Sequence, residues 1–238
     1  MIKEAIAYLV SLKANQTYTI NGDTYSDHEL HRIDPYVAHP SRISVTGLDS
    51  IVKLVRNELD MFDNLPLFVR VDGARKVSVF STYDDEMERD SLYEATCDVP
   101  DFRDGFRAYE QAIIELRSKF SPGEGVGYLL DLLSRINSEN RVSTSDNGVS
   151  QSVEARQGVS LKQMVSVKPR VALRPYRTFL EVEQPESEFL LRLDGEGNVG
   201  LFEADGGMWR MDAKKSICEY FEKALAAEIA DGHVVVMM

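Results

Sequence analysis

The stretch LPLFVRVDGARKVSVFST, residues 65–82, constrains this chain more than any other. Apolar and polar residues alternate on both sides of Asp72-Gly73, a dipeptide suited to a tight two-residue turn, so the stretch predicts an antiparallel hairpin. Before it, RISVTGLDSIVKLVRNELD (42–60) predicts a short strand and then a helix. Leu48, Ile51, Val52, Val55 and Leu59 fall on one face of that helix. Thr46 is placed as its N-cap, with Asp49 as the capping-box partner. A third strand is expected near SLYEATCDV (91–99). Strand, helix, hairpin and strand in this order indicate an α+β fold, because repeating β-α-β units join parallel strands through helices.

The flanking sequence extends this pattern. Residues 2–13 form an amphipathic helix with Ile6, Leu9 and Val10 on one face. Glu4 lies inside it and no small-residue cleavage site follows, so it is neither a signal peptide nor a membrane anchor. TYTINGDTYS (17–26) predicts a hairpin at Asn21-Gly22, and residues 27–42 an exposed connection. From Asp104 to Asn137 the signal is helical, broken at SPGEG, with Ser121-Pro122 opening the second helix. A hairpin is expected at Asn147-Gly148, then strands near 149–156, 164–173, 178–183, 188–194 and 199–203. A turn with Trp209 leads to a helix over 212–230 that Gly232 ends. HVVVMM (233–238) is a short strand or a docking tail, and an exposed tail of this kind can pair with another subunit.

The expected fold is therefore α+β: a mixed N-terminal half, a central helix pair and a strand-rich C-terminal half with a final helix. A capsid-like α+β arrangement is a variant of this. Three regions follow, 1–42 as an N-terminal extension, 43–140 with the central helices, and 141–238.

Charge narrows the partners. A net charge of −12 over 238 residues argues against extensive binding to duplex DNA, which needs basic faces to release counterions. Cys97 and Cys218 lack metal-ligand spacing and read as buried thiols. His28, His31 and His39, with Asp27, Glu29 and Asp34, match no zinc spacing, so no metal and no cofactor are expected. The acidic run YDDEMERD (83–90) lacks the glycine and glutamate positions of a calcium loop. GEGVGYLL (123–130) has no Lys-Ser/Thr of a phosphate loop and reads as a break between helices; DGEGNVG (194–200) reads as a hairpin loop. No nucleophile motif is present, so any hydrolytic chemistry would fall to carboxylates of the 181–205 region.

The arginines offer more. Arg170, Arg174, Arg177, Arg192 and Arg210 fall in the strand-rich third, near Tyr176, Phe179 and Trp209. Arginine beside an aromatic ring suits a phosphate with a stacked base, which makes Arg174, Tyr176, Arg177, Arg192, Trp209 and Arg210 candidate ligand residues. The same arginines can instead pin strand register, Arg177 and Arg192 pairing with Glu181, Glu183 and Glu186. Gln184-Pro185 is expected to turn the chain between two strands.

Taken together, NGVSQSVEARQGV (147–159), PRVALRPYRTFLEVEQPESEFLLRL (169–193) and LFEADGGMW (201–209) resemble a family of tailed-phage and prophage proteins related to the YfdQ-like family. DVPDFRDGFRAYEQAIIELRSKF (98–120) and VTGLDSIVKLV (45–55) fit the same family. The resemblance implies a phage or prophage protein acting in the host cytoplasm and supplies no catalytic residues. It leads to the expectation of a non-catalytic, homo-oligomeric binding protein in counter-defence, which sequesters a nucleotide signal or blocks a host defence protein. The alternatives are an accessory to phage DNA recombination or replication and a carboxylate-dependent hydrolase.

Overall fold

In the computed structural model the first 39 residues form a unit separate from Pro40–Met238. The structure describes residues 2–11, 17–21, 23–26, 39–62, 65–84, 87–137, 142–146, 151–157, 161–195 and 197–238. In the first unit, helix α1 (Ile2–Ser11) precedes a hairpin of β1 (Thr17–Ile20) and β2 (Asp23–Ser26), with Ile20 opposite Asp23. Asn21 takes φ 56° at the turn, a left-handed conformation that asparagine tolerates. His28, His31, Asp27, Glu29 and Asp34 lie outside the described residues.

The second unit opens with β3 (Ile43–Val45), α2 (Leu48–Glu58) and a single 3-10 turn, Leu59–Phe62. Strands β4 (Leu67–Gly73), β5 (Lys76–Phe80) and β6 (Ser91–Thr96) follow. The hairpin at 67–80 forms as the alternation requires, with one difference at its turn. Gly73 pairs with Lys76, so Ala74 and Arg75 make the turn and Asp72 stays in the strand. There its carboxylate accepts bonds from Arg70 Nε at 2.6 Å and Ser78 Oγ at 2.5 Å, and the register shifts between Val71 and Gly73. Asp72 is the bulged residue, skipped by the ladder between Val71 and Gly73, and the turn moves two residues on.

Strand β7 (Gly105–Arg107), α3 (Tyr109–Ser118) and α4 (Glu124–Asn137) come next. The helical signal from Asp104 thus begins with a strand. Phe106 stands opposite Gly200 and meets Phe202 edge-to-face at 5.5 Å, a contact available because Gly200 carries no Cβ. A Cβ there would lie 2.8 Å from both rings. Helix α4 begins at Glu124, two residues after Pro122, and Ser121 N–H donates to Arg174 C=O at 2.8 Å.

Strands β8 (Val142–Asp146), β9 (Gln151–Gln157) and β10 (Leu161–Val167) form an antiparallel sheet of their own in the order β10-β9-β8. Asp146 faces Gln151, which gives the expected hairpin; its turn residues, Asn147 and Gly148, lie outside the described residues. Then come β11 (Arg170–Leu173), β12 (Ser187–Leu193), β13 (Val199–Glu203), α5 (Trp209–Ala224), α6 (Ala226–Ala230) and β14 (Val234–Met237). The C-terminal tail is a strand, paired in parallel with β4. The chain is α+β with a strand-rich C-terminal half and a final helix.

Two cores result. The five-stranded sheet β14-β4-β5-β6-β3 buries Leu67, Val69, Val71, Val77, Val79, Tyr93 and Ala95 with Leu48, Ile51 and Val55 of α2 and Ile217 and Phe221 of α5. The four-stranded antiparallel sheet β11-β12-β13-β7 buries Phe189, Leu191, Leu193, Val199 and Leu201 with Leu116 of α3 and Leu129 and Leu133 of α4. Period-2 and period-3.6 patterns meet in each core, as an open sheet with helices on one face requires.

Residues 174–186 join the two cores. The expected strand at 178–183 is absent: the segment is an irregular loop between β11 and β12, which pair directly at Leu173 and Ser187. Gln184, expected only to turn the chain, is buried and replaces a strand ladder for the loop. Its Oε1 accepts from Arg177 N–H at 3.0 Å and Thr178 N–H at 3.2 Å; its Nε2 donates to Phe179 C=O at 3.0 Å and Thr178 C=O at 3.3 Å. Phe179, 1% exposed, packs into the core of the five-stranded sheet, a burial worth roughly 1.5–3 kcal/mol. Thr178 Oγ1 donates to Ala74 C=O at 2.5 Å and Arg75 Nε to Arg177 C=O at 3.1 Å, fixing the β4–β5 turn against the loop. Glu181 takes the place expected for Thr46 and Asp49: its carboxylate accepts from Leu48 N–H at 2.8 Å, and no side chain at the N-cap, Gly47, does so.

Candidate functional site: a cationic groove beside the α4 N-terminus

The root of this loop is also where a groove forms. Ser121 N–H donates to Arg174 C=O and Tyr176 N–H to Lys119 C=O, both at 2.8 Å, which ties the α3–α4 connection to the end of β11. Gly125 then lets α4 pass against the strand: a Cβ at this position would lie 2.0 Å from Ala172 C=O. The result is an open groove of about 530 Å³. Lys168, Arg170, Arg174 and the carboxylate of Glu186 line it, together with Gly123 before α4 and Glu124 and Gly125 of its first turn. Helix N-termini present unsatisfied N–H groups and about half a positive charge, and here three cations stand on the same concavity.

The cations are held loosely. Arg174 bonds Glu183 at 2.5 Å and Glu186 at 3.2 Å, Arg170 bonds Glu188 at 2.9 Å, and Lys168 Nζ lies 5.0 Å from the Tyr128 ring centroid. The arginine side chains are 43% and 63% exposed. Exposed pairs of this kind contribute about 0–1 kcal/mol each, so an incoming phosphate can replace a carboxylate partner at small cost. A bidentate arginine–phosphate contact is stronger than the pair it displaces.

The six candidate residues separate in space. Arg174 lines the groove. Arg177 lies inward, its side chain 6% exposed, in an ion pair with Glu203 where the sequence suggested Glu181, Glu183 or Glu186. It also donates to Ser187 Oγ, which donates to Asp205; Asp205 accepts from Gly207 N–H at 2.8 Å. Burial pushes the Arg177 guanidinium below its usual range, and the Glu203 bond opposes that shift. Arg177 and Arg210 both lie over the Trp209 ring, with guanidinium carbons 4.3 and 4.8 Å from its centre. These residues, with Arg75, Glu203 and Asp104, line a chamber of only about 110 Å³. Tyr176 is half-buried, and Arg192 is half-buried on β12 opposite Gly200.

Lys168 and the first turn of α4 were missed by the arginine pattern. GEGVG carried the signal, but it reads as a break until Gly125 is seen to touch β11. Elsewhere, Asp194 and Asn198 close the β12–β13 loop through Asn198 N–H to Asp194 Oδ1 at 2.8 Å. Cys97 and Cys218 are buried free thiols, and burial pushes the Cys97 thiol up to about 11. Among the described residues no His, Cys, Asp and Glu side chains group to hold a metal, and no helix is long and apolar enough to cross a membrane.

Comparison with family models, with curated proteins and with solved structures found no match. The fold and groove thus define a class, an α+β protein with an open groove lined by three basic and two acidic side chains.

Proposed function

We propose that this is a non-catalytic binding protein that holds a phosphate-bearing ligand of the nucleotide class in the groove between α4 and β11. The observation that carries this reading is the convergence of Lys168, Arg170 and Arg174 on the first turn of α4, on a chain whose net charge is −12. A cationic concavity on an acidic protein favours a small anion over a long polyanion, which would meet repulsion beyond the groove. The tyrosine beside Lys168 and the groove volume leave room for a base or sugar next to the phosphate. A binding role is supported by the carboxylates of the 181–205 region, which are engaged with partners: Glu183, Glu186 and Glu188 with arginines, Glu203 with Arg177, and Asp205 with Ser187. The resemblance to phage and prophage proteins supports a counter-defence use, sequestering a nucleotide signal in the host cytoplasm.

Calorimetry against inorganic phosphate, mononucleotides, cyclic dinucleotides and cyclic trinucleotides tests this. Saturable binding is expected for at least one nucleotide, weakened roughly ten-fold or more by Arg174→Ala or Lys168→Ala. Absence of heat and of any melting shift with all of them would sink the reading.

A further inference from the structure

The two edges of the five-stranded sheet are treated differently. At one, β3 has three residues and is bordered by Arg42 and Glu94, which form an ion pair at 3.1 Å that Lys76 joins at 2.9 Å. Short strands and charges are the usual protection of a sheet edge. At the other, β14 continues as Val234-Val235-Val236-Met237-Met238 with no charged side chain, no proline and no bulge. Val234 is buried against the core, whereas Val235, Met237 and Met238 are 40%, 37% and 58% exposed. Strand β14 is bonded on one side only, to β4, among the described residues. Its outer N–H and C=O groups are a template that a further strand satisfies.

We propose that this edge joins two copies of the chain, β14 against β14, antiparallel about a two-fold axis perpendicular to the sheet. The argument for a second copy is self-complementarity. Identical strands related by such an axis necessarily run antiparallel, and a strand without charged side chains meets its twin with no like-charge side-chain pair. Two ionic side chains beside the strand are paired: Arg70, opposite Met237 in the β4–β14 ladder, bonds Asp72 at 2.6 Å, and Glu228 of α6 bonds Arg56 at 2.7 Å; the exposed Asp231 stands before the strand, outside the overlap. The axis preserves faces, which fixes the register. With full overlap, Val236 lies opposite the partner's Val236 on the helix-covered face, and Val235 opposite the partner's Met237 on the open face. Two five-stranded sheets become one continuous sheet.

The contact is small, so a dissociation constant on the order of 1–100 µM is expected, tightening with salt as repulsion between two acidic bodies is screened. Sedimentation velocity over a concentration series checks this on the full chain. Wild type should pass from monomer to dimer, and Val235→Glu combined with Met237→Glu, which sets a carboxylate opposite Arg70, should stay monomeric with the melting temperature of the wild-type monomer. Under mild oxidation Val236→Cys should give a covalent dimer and Val235→Cys should not, because only the former places a thiol across from itself. A wild type that is monomeric at several hundred micromolar overturns the proposal. So does a dimer that the double substitution leaves intact, or hydrogen exchange showing, in a monomer, protection of the β14 amides that point away from β4, which would place an intramolecular segment on the edge. Cross-linking at Val235→Cys instead of Val236→Cys overturns the register.

Discussion

Glu181 Oε1 accepts a hydrogen bond from the backbone N–H of Leu48 at 2.8 Å, although the two residues are 133 positions apart. The carboxylate of a loop between two strands thereby caps the helix that covers the other sheet. Gly47 makes room for it: a Cβ there would lie 2.6 Å from that oxygen.

Loss of this cap should be measurable. Glu181→Ala is expected to destabilise the protein by about 1 kcal/mol, in the range of other N-cap losses, without changing the urea m-value. Urea unfolding followed by circular dichroism reads both quantities. An effect below a few tenths of a kcal/mol would mean that water serves Leu48 equally well.

The two arginines of Arg174-Pro175-Tyr176-Arg177 should part in their effects. Arg177→Ala leaves Glu203 without its buried partner and opens space beneath Trp209, so a loss of roughly 3–5 kcal/mol is expected. Arg174→Ala breaks only exposed pairs and should cost at most about 1 kcal/mol while weakening nucleotide binding. Parallel unfolding and calorimetry distinguish the two. Equal destabilisation by both would remove the separation between a structural and a ligand-facing arginine.

Local periodicity made the cores legible and left their connection hidden. The strands at 67–80 and the helix at 48–58 follow from repeats that any buried face imposes; the final helix, expected over 212–230, instead opens at Trp209 and is interrupted at Leu225, between α5 and α6. The 174–186 loop does not, because TFLEVE looks like a strand while its stability comes from Ala74, 104 residues before Thr178, and from the Gln184 amide. The groove was half visible. Arg174 stood out by composition, whereas the first turn of α4 matters only through the approach of Gly125 to Ala172, which no local pattern announces.

Acid should weaken the protein partly through Glu115. Burial alone would raise its carboxyl, but hydrogen bonds from Lys119 at 3.1 Å and Arg107 at 3.0 Å hold it below its ordinary value of 4.5. A carboxyl depressed in the folded state stabilises fully above its unfolded pKa and ceases to do so as pH falls through the folded one. Stability should therefore fall below about pH 4.5. Glu115→Gln should be less stable than wild type at pH 7, with the gap closing toward pH 3. Unfolding free energies across that window check the sign, and a gap that is constant with pH would exclude Glu115 as a contributor.

Gly125→Ala tests the groove and the fold together. The added methyl would stand 2.0 Å from Ala172 C=O and about 3 Å from the Val171 and Leu173 side chains, so α4 must move away from β11. Overpacking of this kind costs roughly 1–3 kcal/mol, more than the gain expected from replacing glycine inside a helix. Movement of α4 also carries its first turn away from Lys168, Arg170 and Arg174, so nucleotide affinity should fall with stability. Gly127→Ala, on the same helix with nothing within 4 Å of its Cβ, is the control and should stabilise slightly with binding intact. If Gly125→Ala melts like Gly127→Ala and binds nucleotide like wild type, the close approach of α4 to β11 is not what shapes the groove.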